Sequence, residues 1–198
     1  MRSRFAITVL ILAVVIAAPL SAADKKAATS GVYLTSHDFV CGLLAAEGER
    51  NSPSHDMKLH DTLFGKPYIE VLHHGELRRY SKDQIWGYRD FDGKSYRFVN
   101  GRTYEVREAS PLIIYVLNDV LAGRSGRVNP GYYFSTDADA VPVRLTLTNL
   151  KMAFPENHRF HDYLDMSFRS DAELTRFDTF HKMYKVNHLL VSSEGPDQ

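Results

Sequence analysis

The stretch IWGYRDFDGKSYRFVNGRTYEVRE, residues 85–108, decides the fold class of this chain. It consists of three runs rich in aromatic and β-branched residues, at 85–91, 94–99 and 102–108. The pairs Asp92-Gly93 and Asn100-Gly101 separate these runs. Both pairs favour type I′ turns, which need a positive φ at two successive residues. A two-residue loop joins neighbouring antiparallel strands, so the stretch predicts a β-meander.

The two turns also predict which residues face each other across the strands. With Phe91 opposite Lys94, the first turn places Tyr88 opposite Arg97, and the second turn places Arg97 opposite Tyr104. Side chains alternate between the two faces of a strand. One face is therefore expected to carry an aromatic and apolar set with one arginine: Trp86, Tyr88, Arg97, Val99, Tyr104 and Val106.

Four side chains of this face form a candidate ligand site: Trp86, Tyr88, Arg97 and Tyr104. An arginine between two tyrosines gives cation–π attraction, and exposed flat aromatics beside a planar donor can stack on a saccharide or grip a peptide. If helices cover the face, the same residues are core. The core interpretation is favoured because C-terminal helices need an apolar surface to pack on.

The rest of the chain extends the meander and then changes its hydrophobic period. Further strands are predicted at 31–34, 68–73, 76–80, 112–117, 132–135 and 141–147. From Thr148 the period becomes helical, with one helix to residue 154, a second opened by Pro155, and a third from a capping box at Ser170 to about residue 190. We therefore predict an α+β fold, in which an antiparallel β-meander, as a bent sheet or barrel-like roll, carries C-terminal helices.

Residues 1–23 have the pattern of a secretory signal peptide. Arg2 and Arg4 precede an apolar run over 5–18, and small residues end the segment at Ala23. The run is shorter than the roughly 20 apolar residues that a membrane span needs. We expect an exported mature chain, periplasmic or secreted, without a transmembrane segment. It would form a single domain over 24–198, mainly β over 24–147 and helical over 148–191, with a tail at 192–198.

Composition narrows the classes of partner. The chain has 24 basic and 24 acidic residues and no basic cluster, which argues against nucleic acid as a ligand. Cys41 is the single cysteine, so an intramolecular disulfide is excluded. Its apolar neighbours favour a small buried hydrophobe over a nucleophile paired with His37.

A candidate zinc site lies in the predicted second helix. Spacings of three and four residues put His158, His161, Asp162 and Asp165 on one helical face, where two imidazoles and a carboxylate could converge. The same spacing also stabilises an ordinary solvated helix. The solvated helix is the favoured interpretation, so the sequence predicts no cofactor, and zinc is the alternative.

Phrases in three parts of the chain resemble a group of exported bacterial proteins of unknown function. They are 85–98, the segment AFPENH at 153–158 and the segment FHKMYKVN at 180–187. The resemblance covers most of the mature chain and implies export, but it implies no catalytic residue or cofactor. Our first hypothesis is a non-enzymatic envelope or secreted module that binds an envelope protein, a peptide or a saccharide. The alternative is a metal-assisted hydrolase that uses the His158 to Asp165 face.

Overall fold

The computed structural model describes residues 29–60, 65–117 and 130–195. The predicted signal peptide at 1–23 lies outside the described residues. None of the helices within them has the length and apolar character needed to cross a membrane.

The described residues form an α+β fold whose strands pair antiparallel. The strands are β1 (Thr29–Tyr33), β2 (Ala45–Glu49), β3 (His55–Lys58), β4 (Tyr68–His73), β5 (Glu76–Ser81), β6 (Gly87–Arg89), β7 (Ser95–Val99), β8 (Arg102–Glu108), β9 (Ile113–Leu117), β10 (Gly131–Ser135), β11 (Val143–Arg144), β12 (Phe177–Asp178) and β13 (Met183–Tyr184). The helices are α1 (Ser36–Cys41), α2 (Leu147–Ala153), α3 (His158–Ser167) and α4 (Lys185–Glu194), with a short 3-10 helix at Asp171–Thr175.

The largest sheet has eight strands in the order β11-β10-β9-β8-β7-β6-β1-β2. Strands β6 to β10 follow one another along the chain and across the sheet, which confirms the predicted meander. The sheet ends at β11 and β2, so it is open. The other two sheets are β3-β4-β5 and the short hairpin β12-β13.

The turn at Asn100-Gly101 is the one that the sequence predicts. Asn100 has φ 51° and Gly101 has φ 72°, as a type I′ turn requires. The pairs Val99 with Arg102 and Arg97 with Tyr104 follow from it, and the predicted register of β7 and β8 is confirmed.

The turn at Asp92-Gly93 is different, and the register predicted from it is wrong by one residue. The Asp90 side chain accepts backbone hydrogen bonds from Asp92 at 2.8 Å and from Lys94 at 2.9 Å, and this holds a longer loop between β6 and β7. Tyr88 therefore pairs with Tyr96, and Gly87 pairs with Arg97. As a result, Tyr88 lies on the face opposite Arg97.

One face of the large sheet is covered by local segments. Its buried cluster includes Tyr33, Trp86, Tyr104 and Tyr115. Phe39 of α1 stacks on the Trp86 ring with centroids 3.9 Å apart. Helix α1 and the turn after β10 thus pack on this face.

The other face packs against the three-stranded sheet β3-β4-β5 at one end and against the C-terminal helices at the other end. At the first end, a cluster includes Ile69 and Val71 of β4 with Tyr88 and Phe98. At the second end, helix residues including Phe160, Leu164 and Leu190 pack with Ile114 and Phe134. Ile114 lies between Ile113 and Tyr115, which belong to the cluster with Trp86, so the two clusters lie on opposite faces. The expectation that the C-terminal helices cover the Trp86 face is wrong.

The predicted third helix from Ser170 to about residue 190 is also wrong. Ser170 makes no side-chain capping bond, and Glu173 instead accepts from the Arg169 amide at 2.8 Å. The chain then forms the 3-10 helix, the hairpin β12-β13 and, only from Lys185, helix α4. The hairpin interrupts the region expected to be helical over 148–191.

Asn187 attaches α4 to the large sheet. Its side chain is fully buried, accepts from the Leu112 amide at 3.2 Å and donates to the Leu112 carbonyl at 3.0 Å. It also donates to the Glu108 carboxylate, whose other oxygen accepts from the Tyr184 amide at 2.7 Å. These bonds fix the start of α4 and the end of β13 against the loop between β8 and β9.

Candidate metal centre

The four residues of the predicted ligand face are all buried. Relative exposure is 8% for Trp86, 2% for Tyr88, 6% for Arg97 and 5% for Tyr104. Trp86, Arg97 and Tyr104 lie on one face, whereas Tyr88 stacks on Tyr96 on the other, with centroids 4.7 Å apart. The structure therefore brings three of the four together, inside the protein rather than on an open face.

Arg97 holds the turn after β10 against this face by hydrogen bonds. Its guanidinium donates to the Tyr115 hydroxyl at 2.9 Å and to the carbonyls of Ala140 at 2.8 Å and Asp139 at 3.2 Å. The Trp86 indole donates to the Ala138 carbonyl at 2.8 Å. Burial raises the pKa of the Tyr115 hydroxyl, which stays neutral and can accept from Arg97. The arrangement is a polar anchor within the core.

The predicted zinc residues are engaged elsewhere. His161 donates from Nε2 to the Phe154 carbonyl at 2.9 Å, and the Asp165 carboxylate pairs with Lys151 at 2.7 Å. His158 and Asp162 are exposed on α3, and the His158 and His161 rings meet edge to face with centroids 5.9 Å apart. These four side chains do not gather their ligand atoms at one point within the described residues.

A different set of three residues brings its ligand atoms together: Asp178, His181 and His188. One ligand atom from each lies within 4.8 Å of the other two. It is the one such group of three or more histidine, cysteine or acidic side chains within 29–60, 65–117 and 130–195. Asp178 and His188 are partly buried and His181 is exposed, so solvent reaches the group.

The hairpin β12-β13 positions the first two residues. Asp178 ends β12, and its Oδ1 accepts backbone hydrogen bonds from Phe180 at 2.9 Å and His181 at 3.1 Å. Its Oδ2 accepts from His181 Nδ1 at 2.8 Å. Lys182 has φ 56°, a left-handed conformation that turns the chain back into β13. The loop is thus held at both ends, and His181 has a defined orientation.

Helix α4 supplies the third residue. It starts at Lys185, directly after β13, which brings its first turn next to the hairpin loop. The His188 ring stacks on the His181 ring with centroids 3.6 Å apart and planes 16° from parallel. Asn187, its neighbour, is the buried anchor of α4, so the position of His188 follows from the core.

The ligand atoms of the three residues lie close enough together to approach one metal ion after a small rearrangement of the rings. Two nitrogen ligands at about 2.05 Å from zinc in tetrahedral geometry lie about 3.3 Å apart. The 3.6 Å distance joins the ring centroids, not the nitrogens, and the ring planes are 16° from parallel, so coordination requires the rings to tilt until their lone pairs converge. Two imidazoles and a carboxylate are a donor set that suits zinc and neighbouring divalent transition metals.

Asp178 is held in its ionised form. The hydrogen bond from the His181 side chain, followed by the backbone bonds from the same loop, lowers the pKa of the Asp178 carboxyl to about 2. The carboxylate is therefore available as an oxygen donor at any ordinary pH.

Cys41 does not have the predicted environment. It is exposed at the end of α1 rather than buried, and its Sγ lies 3.6 Å from His37 Nε2. The neighbouring Val40 and Leu43 are themselves 70% and 56% exposed. Apolar neighbours in the sequence do not imply burial of Cys41, because helix α1 has only six residues and none of them is buried.

The sequence prediction does not identify the Asp178, His181 and His188 group, because it treats residues 170–190 as one helix. On a continuous helix, Asp178 and His181 share a face with each other, and His188 lies two turns further on. The signal that could have found the group is Asp178 followed by His181 three residues later, where aspartate can close a turn on the following amides.

Comparison of the chain with known proteins finds no matching family model, no similar curated protein and no similar solved structure.

Proposed function

We propose that this chain is an exported, non-enzymatic binding module whose ligand is a divalent transition metal ion, bound by Asp178, His181 and His188. The observation that carries the proposal is that one ligand atom from each of these three residues lies within 4.8 Å of the other two, in a group that solvent reaches. The export part of the proposal rests on the leader pattern at 1–23.

The surroundings of the three residues support binding. The hydrogen bond from His181 Nδ1 to the Asp178 carboxylate, at 2.8 Å, fixes the orientation of the His181 ring in the metal-free protein. If Asp178 and His181 Nδ1 both bind the ion, the proton between them moves to Nε2 of the neutral ring, or to solvent if the ring is protonated.

The hydrolase alternative has less support. It relied on the face from His158 to Asp165, where His161 is bonded to Phe154 and Asp165 to Lys151. Replacing those interactions with a metal would cost the helix two of its contacts. Zinc or a similar ion remains the one cofactor that we propose.

Zinc titration of the mature chain, purified without a histidine tag, tests the proposal. Calorimetry should give one equivalent bound by the wild type. His188→Ala should weaken binding by at least about tenfold, since even loss of a residue that only supports a metal ligand costs 10- to 100-fold.

His158→Ala is the matched control, because it removes an exposed histidine of the other candidate set. We expect it to bind zinc as the wild type does. The proposal fails if the wild type binds less than about a tenth of an equivalent, or if His158→Ala and not His188→Ala weakens binding.

A further inference from the structure

We propose that the metal held by Asp178, His181 and His188 takes an apolar carboxylate as its external ligand, with the carboxylate on the metal and the apolar body on Phe180. This inference rests on the proposed metal site and names the class of ligand that the site would receive.

A metal ion bound by these three residues would keep one coordination position free. Zinc with nitrogen and oxygen ligands is tetrahedral, and three protein ligands leave its fourth position for water or another donor. His181 is exposed, so that position can be reached from solvent.

The charge of the metal-bound site favours an anionic external ligand. A divalent ion with one aspartate and two neutral imidazoles carries a net charge of about +1. Lys182, next to His181, is exposed and adds positive charge on the same loop. An anionic oxygen donor is therefore favoured over a neutral one.

Exposed apolar side chains lie beside the three residues. Phe180 is 86% exposed, the highest value among the large exposed hydrophobic residues of the described chain. Its ring packs edge to face on His181 with centroids 4.8 Å apart, so it lies beside the site. Val191, 49% exposed, follows His188 by three residues and thus neighbours it on α4.

The loop that presents Phe180 is held in place. The Phe180 amide donates to Asp178, and Lys182 takes a left-handed conformation. An exposed aromatic ring on an anchored loop loses little conformational freedom when a ligand packs on it. The same chemistry is offered by a free aromatic acid and by a peptide that ends in an aromatic residue.

Titration of the zinc-loaded mature chain tests this, with the NMR signals of the histidine rings as the readout. We expect 3-phenylpropionate to bind about tenfold more tightly than acetate, because part of its ring leaves water on Phe180. The alcohol 3-phenylpropanol and the zinc-free protein should show no saturable binding over the same range. A tripeptide ending in phenylalanine is titrated with a free and with an amidated carboxyl group. Binding of the free form alone identifies a peptide C-terminus as a source of the ligand, and binding of neither form leaves the free aromatic acid as the source.

Phe180→Ala should bring the ratio of the two affinities close to one and leave zinc affinity within about twofold, since the ring does not contact the metal. Met166→Ala, at an 84% exposed apolar position on α3, is the control and should change neither. Equal affinity for the two acids in the wild type, or an unchanged ratio in Phe180→Ala, would overturn the inference but not the metal site. Failure of zinc to bind would overturn both.

Discussion

The Arg97 guanidinium donates from Nη1 to the hydroxyl oxygen of Tyr115 at 2.9 Å, within the buried face of the large sheet. Tyr115 in turn shares a hydrogen bond with Ser135 at 2.9 Å. Strands β7, β9 and β10 are therefore joined by side chains as well as by their backbone ladder. Arg97 also holds the turn after β10 through the carbonyls of Asp139 and Ala140.

Replacing Arg97 with methionine should lower the free energy of unfolding by about 2 to 4 kcal/mol, because a buried hydroxyl and two partly buried carbonyls lose their donor. Urea unfolding measures the loss. Arg78→Met is the control, since Arg78 is half exposed and pairs with the exposed Glu76. It should cost less than about 1 kcal/mol. Equal losses in the two variants would show that Arg97 is not an anchor.

Replacing Asn187 with alanine should destabilise the protein by about 2 to 4 kcal/mol, because the buried amide and carbonyl of Leu112 lose their partners. The control is Asn149→Ala, which removes one exposed hydrogen bond to the Arg144 carbonyl. That variant should lose less than about 1 kcal/mol. A loss below that value for Asn187→Ala would mean that α4 is held by apolar contacts alone.

Stability should fall as the pH drops below the ordinary range of histidine, and His55 is the main cause. The ring is buried, bonds through Nε2 to Ser30 at 2.7 Å and covers Gly48, where a Cβ atom would lie 2.1 Å from the ring. Burial, and then the nearby His73, lowers the pKa of His55.

The direction of this change in stability with pH follows from proton uptake on unfolding. Between the lowered folded pKa and the unfolded value of about 6.5, the unfolded chain binds a proton that the folded chain does not. The free energy of unfolding therefore declines as the pH falls from about 6.5 to the folded pKa and levels off below it. His73 has a pKa lowered in the same direction and adds to the decline.

Urea unfolding between pH 5 and 8 measures this decline, and His55→Phe should make it shallower because phenylalanine does not titrate. An NMR titration of the His55 ring in the folded wild type gives a second readout. A His55 pKa at or above about 6.5 would refute the assignment.

The features of the fold that the sequence predicts correctly are those that depend on interactions between residues close together in the chain. Strand β4 and strand β8 have the predicted bounds, and the Asn100-Gly101 turn sets the predicted register, because these features depend on neighbouring residues alone. The Asp92-Gly93 turn differs because the Asp90 side chain competes for the same amides. That one interaction moves Tyr88 to the opposite face and removes it from the predicted ligand site.

The C-terminal region shows where local periodicity is insufficient. Leu174, Phe177, Phe180 and Tyr184 recur at helical spacing, yet Phe177 is 53% exposed and lies in a strand paired with Tyr184. The turn closed by Asp178 and the attachment of Asn187 to the sheet break the helix there. The candidate metal centre depends on that break, so it could not be found while residues 170–190 were treated as one helix.

The most direct test of the metal centre follows the histidine ring NMR signals of the tag-free mature chain during stepwise addition of zinc. We expect the signals of His181 and His188 to change and to reach their limit at one equivalent, while those of His158 and His161 stay in place. Changes at His158 and His161 in place of these, or no change at His181 and His188 up to several equivalents, would contradict the proposed centre.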